Sequence, residues 1–152
     1  MKSQQIILER DLEEYVLEHI PISAAMGVKV ETASPQTIIL RASFANNINH
    51  KKTVFGGSLH AVATLACWSL LHVNLMEEAT QIVIASSEVK YLAPVLQDFK
   101  AECNRPDKET WEYFLKTLTK KRKARIGLQA QIFQEGKLCV DYSGIFVAIK
   151  TG

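Results

Sequence analysis

The chain has 152 residues, of which 47% are hydrophobic and 22% are charged, and its formal net charge is +2. This composition excludes a disordered or fibrous chain, and the length predicts one domain over residues 1–152. The balanced charge gives no general reason to expect nucleic acid or an anionic membrane as a partner.

The first half of the chain predicts a helix, two strands and a longer second helix. Apolar residues at helical spacing cover residues 4–20. The runs 27–32 and 37–44 have the alternation or the β-branched residues of strands. A polar loop, residues 45–55, leads into an apolar run, residues 59–76. Because polar residues interrupt that run, it predicts a buried core helix rather than a membrane span.

The second half predicts four more strands and one short helix. The helix covers residues 107–121, with Asp107 as its N-cap. The strands cover residues 80–92, 99–104, 126–132 and 138–149. Six strands of antiparallel character and one apolar helix predict an α+β fold, in which the sheet wraps around the long central helix.

The cysteines and the N-terminal segment indicate the compartment. Cys67, Cys103 and Cys139 are far apart in apolar stretches, which is typical of buried free thiols in a reducing environment. The acidic first twenty residues are unlike a signal peptide. We therefore expect a cytoplasmic protein that binds no metal and no cofactor.

Four polar residues share one face of the central helix, at steps of three and four residues or their sum: His60, Thr64, Cys67 and Asn74. Two interpretations stay open. The stripe is either a set of small or hydrogen-bonded groups that face a loop or a second subunit, or the wall of a pocket with His60 and Thr64 near the helix start.

The helix start and the loop before it are the next candidates. Gly56 and Gly57 leave backbone N–H groups uncovered where the helix dipole favours an anion or an oxyanion, or they merely make a tight turn. The Asn49 amide either orients a water molecule or holds the loop.

These motifs resemble those of a known fold family. Residues 49–57 (NHKKTVFGG), a buried helix and residues 91–94 (YLAP) resemble the hotdog-fold acyl-CoA thioesterases, whose phenylacetate type carries Asn-x-x-Gly-x-x-His-Gly-Gly. Residues 19–27 (HIPISAAMG) and 55–58 (FGGS) are more similar to the thioesterase domain of the YiiD C-terminal type. The resemblance covers residues 5–150 and implies a hotdog fold and a homodimer, or a dimer of dimers, with sites shared between subunits.

The resemblance also implies roles for single residues. Asn49 would position the attacking water, and the Gly56 N–H would polarise the thioester carbonyl. The catalytic carboxylate of the phenylacetate type corresponds to Thr64, and no Asp or Glu occurs between residues 45 and 76. Further substrate-binding candidates follow from the same motifs: Phe55, Gly57, Ser58, Tyr91 and Ala93, which stands where a neighbouring subunit can contribute a serine.

The missing carboxylate raises the question of the general base, which typically contributes about 10²–10⁴-fold to the rate. Thr64 cannot accept a proton at neutral pH, whereas His60 is one turn earlier on the same face. One hypothesis is a relocated base, His60 working with Asn49. The alternative is that His60 is a hydrogen-bonded core residue.

A basic cluster at residues 116–125 contains six Lys and Arg residues and no acid. Three interpretations stay open: a solvated helix end, a site for the phosphates of coenzyme A, and a nucleic-acid site. The nucleic-acid site ranks lowest, because few aromatic residues lie among the basic ones.

Three functions remain open from the sequence. The first is hydrolysis of an acyl-CoA or acyl-carrier thioester, with catalytic residues Asn49, Gly56, His60 and Thr64. The second is an acyl-CoA or acyl-carrier binding module that has lost the catalytic carboxylate. The third, a hydroxyacyl-thioester dehydratase, needs a His and acid pair and ranks lowest because the helix has no acid.

Overall fold

The computed structural model describes residues 2–152, with side chains from residue 8 onward. In this part of the chain, six strands form an antiparallel sheet in the order β1–β2–β4–β5–β6–β3. The strands are β1 (Lys29–Ala33), β2 (Thr37–Ala42), β3 (Thr80–Tyr91), β4 (Phe99–Asn104), β5 (Lys123–Gln134) and β6 (Lys137–Lys150). The helices are α1 (Lys2–His19), α2 (Ile22–Ala25), α3 (Phe44–Asn47), α4 (Gly56–Leu75) and α5 (Lys108–Lys121).

The long helix α4 packs against strands β2 to β6 and forms the core with them. By length and composition alone it would fit a membrane span, yet 61% of its most apolar 18-residue stretch is buried inside the protein. It is therefore the core helix of the fold, as its sequence predicts. The α+β hotdog arrangement, a six-stranded antiparallel sheet around a long central helix, is confirmed.

Alternation along the strands decides which side chains meet α4. On β4, Phe99, Ala101 and Cys103 are buried while the residues between them are exposed. Their pairing partners on β5 include Ile132 and Ala130, which are also buried. Partners in an antiparallel register share a face, so one apolar face of the sheet covers the helix.

Strand β3 lies at the edge of the sheet and, within residues 2–152, pairs only with β6. Most of its residues are exposed, including Val83 (47%) and Ile84 (43%). The register shifts between Ile84 and Ser86, which leaves Ala85 as the extra residue of a β-bulge. Beyond the bulge, Ser87 faces α4 and Ser86 faces the opposite side of the sheet, as their pairing with Gly144 and Ile145 shows.

The loops differ from the sequence prediction at three places. The polar loop contains the short helix α3, whose first turn is capped by the Ser43 hydroxyl, and β2 therefore ends at Ala42 rather than at residue 44. Another short helix, α2, was not predicted. Strand β5 begins at Lys123 rather than at residue 126, because Arg122 ends α5 in the left-handed conformation and turns the chain directly into the strand.

The prediction for α5 is confirmed. The Asp107 carboxylate accepts a hydrogen bond from the Thr110 N–H at the N-cap, and Trp111, Phe114 and Leu118 are buried on one face. The helix packs along β5.

Candidate active site

The start of α4 has no side-chain cap. Phe55 occupies the N-cap position without a side-chain hydrogen bond, and none of the described side chains caps the first N–H groups of the helix. A Cβ on Gly57 would lie 2.4 Å from the Phe55 ring, and one on Gly56 would lie 3.4 Å from the Tyr91 ring. Gly57 therefore makes room for the Phe55 ring, whereas a methyl group on Gly56 would meet the Tyr91 ring at an ordinary contact distance.

Tyr91 joins the edge strand to this helix start. Its hydroxyl donates a hydrogen bond to the Gly56 carbonyl oxygen over 3.0 Å, and 52% of the residue is exposed. Phe55 is also exposed, and Ser58 is half-buried next to the glycine pair. The structure thus brings four of the predicted binding residues together around Gly56.

Asn49 is engaged within its own loop. Its side-chain nitrogen donates to the Thr53 hydroxyl over 2.9 Å, and its side-chain oxygen accepts from the N–H groups of Lys51 and Thr53. The loop returns through a bridge between Ile48 and Val54. Of the two interpretations of Asn49, this geometry favours the one in which the amide holds the loop before α4.

Ala93, two residues after Tyr91, lies beyond the end of β3. It is half-buried against the core just after β3, and its N–H donates to the Cys139 carbonyl oxygen over 3.3 Å. Its methyl group adds no polar atom to the helix start.

His60 lies one turn into α4 and contacts the edge strand. Its Nε2 is 2.9 Å from the Ser87 hydroxyl, and its ring lies 5.5 Å from the Tyr142 ring at a tilt of 56°. His60 is half-buried, whereas Ser87 is exposed at the edge of the sheet. An imidazole and a hydroxyl at this distance can exchange a proton.

Thr64, one turn further along, is hydrogen-bonded rather than free. Its hydroxyl lies 2.9 Å from that of Tyr142, which is fully buried on β6. Burial raises the pKa of Tyr142, while hydrogen bonding from Thr64 and Ser87 lowers it in part. Both hydroxyls stay protonated at neutral pH, so neither is a base there.

The rest of the polar stripe packs into the fold. Cys67 is fully buried, and burial together with the neighbouring Cys103 raises the pKa of its thiol well above the ordinary value. The Asn74 amide donates to the carbonyl oxygens of Pro35 and Leu70. Only the first two residues of the stripe therefore lie near the helix start, and Cys67 is not an activated nucleophile.

The basic cluster is exposed at the end of α5 and the start of β5, and none of its six side chains lies within 4.0 Å of an acidic side chain in the described part of the chain.

Among residues whose side chains are described, no three His, Cys, Asp or Glu side chains come close enough to hold a metal ion.

The sequence interpretation gave no role in this site to two residues: Tyr142, and Ser87, which with Ser86 was interpreted as a mid-strand residue facing a second subunit or the core. The alternation of β6 places Tyr142 in phase with the buried Val140 and Phe146, so a signal for its position was present. Ser87 had none, because the bulge at Ala85 reverses the phase of β3 and cannot be read from the alternation of apolar residues.

The chain resembles solved structures along almost its whole length. A protein of unknown function from Chlorobaculum tepidum TLS is 35% identical, with a TM-score of 0.88 and 94% of each chain covered. A structure described as a "putative thioesterase" from Shewanella oneidensis is 28% identical, with a TM-score of 0.79 and coverage of 93% of this chain and 97% of that one. A 19% identical protein from Pseudomonas aeruginosa shares the fold, with a TM-score of 0.82 and coverage of 93% and 95%.

The sequence also matches a family described as "Putative thioesterase (yiiD_Cterm)" over residues 9–150. This match spans the strands, the central helix and every residue of the candidate site. It agrees with the resemblance in residues 19–27 and 55–58. The chain therefore belongs to the YiiD C-terminal thioesterase family.

Proposed function

We propose that the protein hydrolyses acyl thioesters of coenzyme A or of an acyl-carrier protein. The observation that carries this proposal is the uncapped, glycine-lined start of α4 with a histidine one turn away that contacts a serine hydroxyl. A thioester carbonyl oxygen placed at the Gly56 and Gly57 N–H groups would gain negative charge during attack. Donors aimed at such an oxygen typically contribute about 10²–10³-fold to the rate.

His60 is the general base in this proposal. It is the titratable side chain of α4 nearest the glycine pair, and its Nε2 already holds a hydroxyl at hydrogen-bond distance. Asn49 acts indirectly, because its amide holds the loop that delivers Phe55 to the helix N-cap. This differs from the role that the family resemblance implied for Asn49.

We also propose that the protein is a homodimer, paired through β3. An exposed edge strand with apolar side chains is a template for pairing with another chain. The same strand carries Ser87 and Tyr91 of the candidate site, so a second copy would border the site. The three buried free cysteines agree with a cytoplasmic, reducing location, which we propose as well.

One observation favours a second candidate, an acyl-thioester binding module without turnover. The position of the expected carboxylate is Thr64, and its hydroxyl is bonded to the buried Tyr142. If His60 does not act as a base, the helix start would still bind a thioester carbonyl.

The test is thiol release from a panel of short, long and aromatic acyl-CoA esters. We expect release by the wild type and a loss of about 10²-fold or more in His60→Gln, whereas His50→Gln, a change in the exposed loop, should leave the rate unchanged. If His60→Gln released thiol at the wild-type rate, His60 would not be the general base. Binding of the same esters without release by the wild type would identify the binding module.

A further inference from the structure

We propose that Ser87 is the nucleophile of the reaction and that the acyl group passes through a Ser87 ester before water releases it. This inference rests on the proposed thioester hydrolysis and adds the identity of the attacking atom. The carrying observation is the pair formed by the Ser87 hydroxyl and His60 Nε2, 2.9 Å apart. A nucleophile and a base within about 2.6–3.2 Å of each other are one part of the arrangement that covalent catalysis uses.

The fold places Ser87 there through a local irregularity. Without the bulge at Ala85, the phase set by Ile82 and Ile84 would turn Ser86 toward α4 and Ser87 away from it. Bulges often re-aim a side chain beside an active site. The bulge therefore puts the Ser87 hydroxyl on the face of the sheet that packs against α4, where His60 lies.

The imidazole is held in place for this contact. With the proton on Nδ1, the neutral ring accepts the Ser87 proton at Nε2. The Tyr142 ring lies against it at 5.5 Å, and the Ser87 and Tyr142 hydroxyls are near enough for Ser87 to lower the pKa of Tyr142. Tyr142 thus restricts the imidazole by packing beside it, while its hydroxyl is hydrogen-bonded to Thr64.

The proposed oxyanion donors, the N–H groups of Gly56 and Gly57, lie on α4 beside the same stretch of β3. Tyr91 contacts Gly56, and Ser87, four residues earlier on the strand, contacts His60, four residues later on the helix. The strand therefore runs beside the first turn of α4. Ser87 and the glycine pair therefore lie at the same end of α4, within one helical turn of each other along the helix.

The absence of a carboxylate favours serine over direct attack by water. No Asp or Glu lies between residues 45 and 76, and of the two histidines on α4 His60 lies one turn from the glycine pair while His72 lies in the last turn, so His60 is the base that α4 offers at this site. That histidine is already occupied by the hydroxyl of Ser87. In this proposal His60 therefore takes the proton of the Ser87 hydroxyl rather than that of a water molecule.

The steps balance in atoms and charge. Ser87 Oγ attacks the thioester carbonyl carbon while its proton moves to His60 Nε2. The tetrahedral intermediate breaks its C–S bond, and the His60 proton moves to the departing thiolate, leaving an acyl ester on Ser87 and a free thiol. Water then attacks this ester with His60 as base, and the returning proton restores the Ser87 hydroxyl and releases the carboxylic acid.

The experiment compares how the acyl group partitions between water and added methanol. The wild type is given one acyl group on two leaving thiols, coenzyme A and N-acetylcysteamine, and the ratio of methyl ester to free acid is measured. A shared Ser87 ester predicts the same ratio for both thiols. Direct attack by water on each thioester predicts ratios that differ between the thiols, and that result would overturn the inference.

Two variants complete the test. Ser87→Ala should lose thiol release by about 10²-fold or more, while the matched control Ser86→Ala, on the opposite face of the same strand, should keep both the rate and the ratio. A full rate in Ser87→Ala would overturn the inference. No thiol release by the wild type would instead contradict the proposed hydrolysis itself, so the two failures are distinguishable.

Discussion

The hydroxyl of Thr64 on the central helix lies 2.9 Å from the hydroxyl of Tyr142 on β6. The family resemblance implies that Thr64 stands where the phenylacetate-type thioesterases carry a carboxylate; here its hydroxyl is hydrogen-bonded to the neutral Tyr142 hydroxyl instead. Tyr142 is fully buried, and burial raises its pKa, so the pair holds no negative charge at neutral pH. We therefore place the proposed chemistry one turn back along the helix, at His60 and Ser87.

Removing either end of the Thr64–Tyr142 hydrogen bond should lower the free energy of unfolding, but by different amounts. Thr64→Val leaves the buried Tyr142 hydroxyl without this partner, which we expect to cost about 1–3 kcal/mol of unfolding free energy. Tyr142→Phe leaves the half-buried Thr64 hydroxyl, which water can reach, and should cost about 1 kcal/mol or less. Urea unfolding of both variants and of the double variant measures the coupling; a double variant whose loss equals the sum would show that the bond contributes nothing.

Gly144 should not tolerate a methyl group. A Cβ there would lie 2.7 Å from the Tyr142 hydroxyl and 2.8 Å from the Phe146 ring, closer than real contacts allow. Gly144→Ala should therefore lower the unfolding free energy by about 1–3 kcal/mol and reduce thiol release by displacing Tyr142.

Gly127→Ala is the control for that change. Its Cβ would meet only Ile145, at the ordinary contact distance of 3.6 Å. We expect no loss of stability by thermal unfolding. Equal melting temperatures for the two variants would contradict the steric argument.

Stability should fall as the pH is lowered through about 6.5, because of His72. Its ring stacks on Tyr15 and Trp68, and burial, with a smaller contribution from His19, lowers its pKa from the ordinary 6.5. As the pH falls below 6.5, His72 is protonated in the unfolded chain but still neutral in the folded protein. The stabilisation that His72 contributes above pH 6.5 is therefore lost between pH 6.5 and the lower pKa of the folded state.

Urea unfolding of the wild type and of His72→Gln between pH 5.5 and 7.5 measures this contribution. The difference in unfolding free energy between the two proteins should narrow as the pH falls. A difference that stays constant over this range would show that His72 has the same pKa in both states.

The edge strand β3 should control self-association. Val83 is 47% exposed on β3, and Val83→Lys would place two like charges at the proposed interface and favour a monomer. Phe133→Lys, on an exposed part of β5, is the matched control and should leave the mass unchanged. Light scattering after size-exclusion chromatography measures the mass, and a wild-type monomer would contradict the homodimer.

Much of the fold was predictable because it depends on local patterns. Alternation marks the buried face of β4, and Asp107 caps α5 as its position predicts. The apolar composition of α4 predicts a helix covered by a sheet, and its burial confirms this. Helix α3 was missed, since a four-residue helix in a polar loop has no apolar periodicity to reveal it.

The sequence by itself determined the antiparallel sheet, the core helix, the glycine pair at its start and the lack of an acid nearby. These follow from hydrophobic periodicity and from residue identity, which are properties of the chain alone. Only the tertiary structure decided what each polar side chain meets. The contacts of His60 with Ser87 and of Thr64 with Tyr142 join residues 27 and 78 positions apart, and the first depends on the bulge at Ala85, which reverses the phase of one strand.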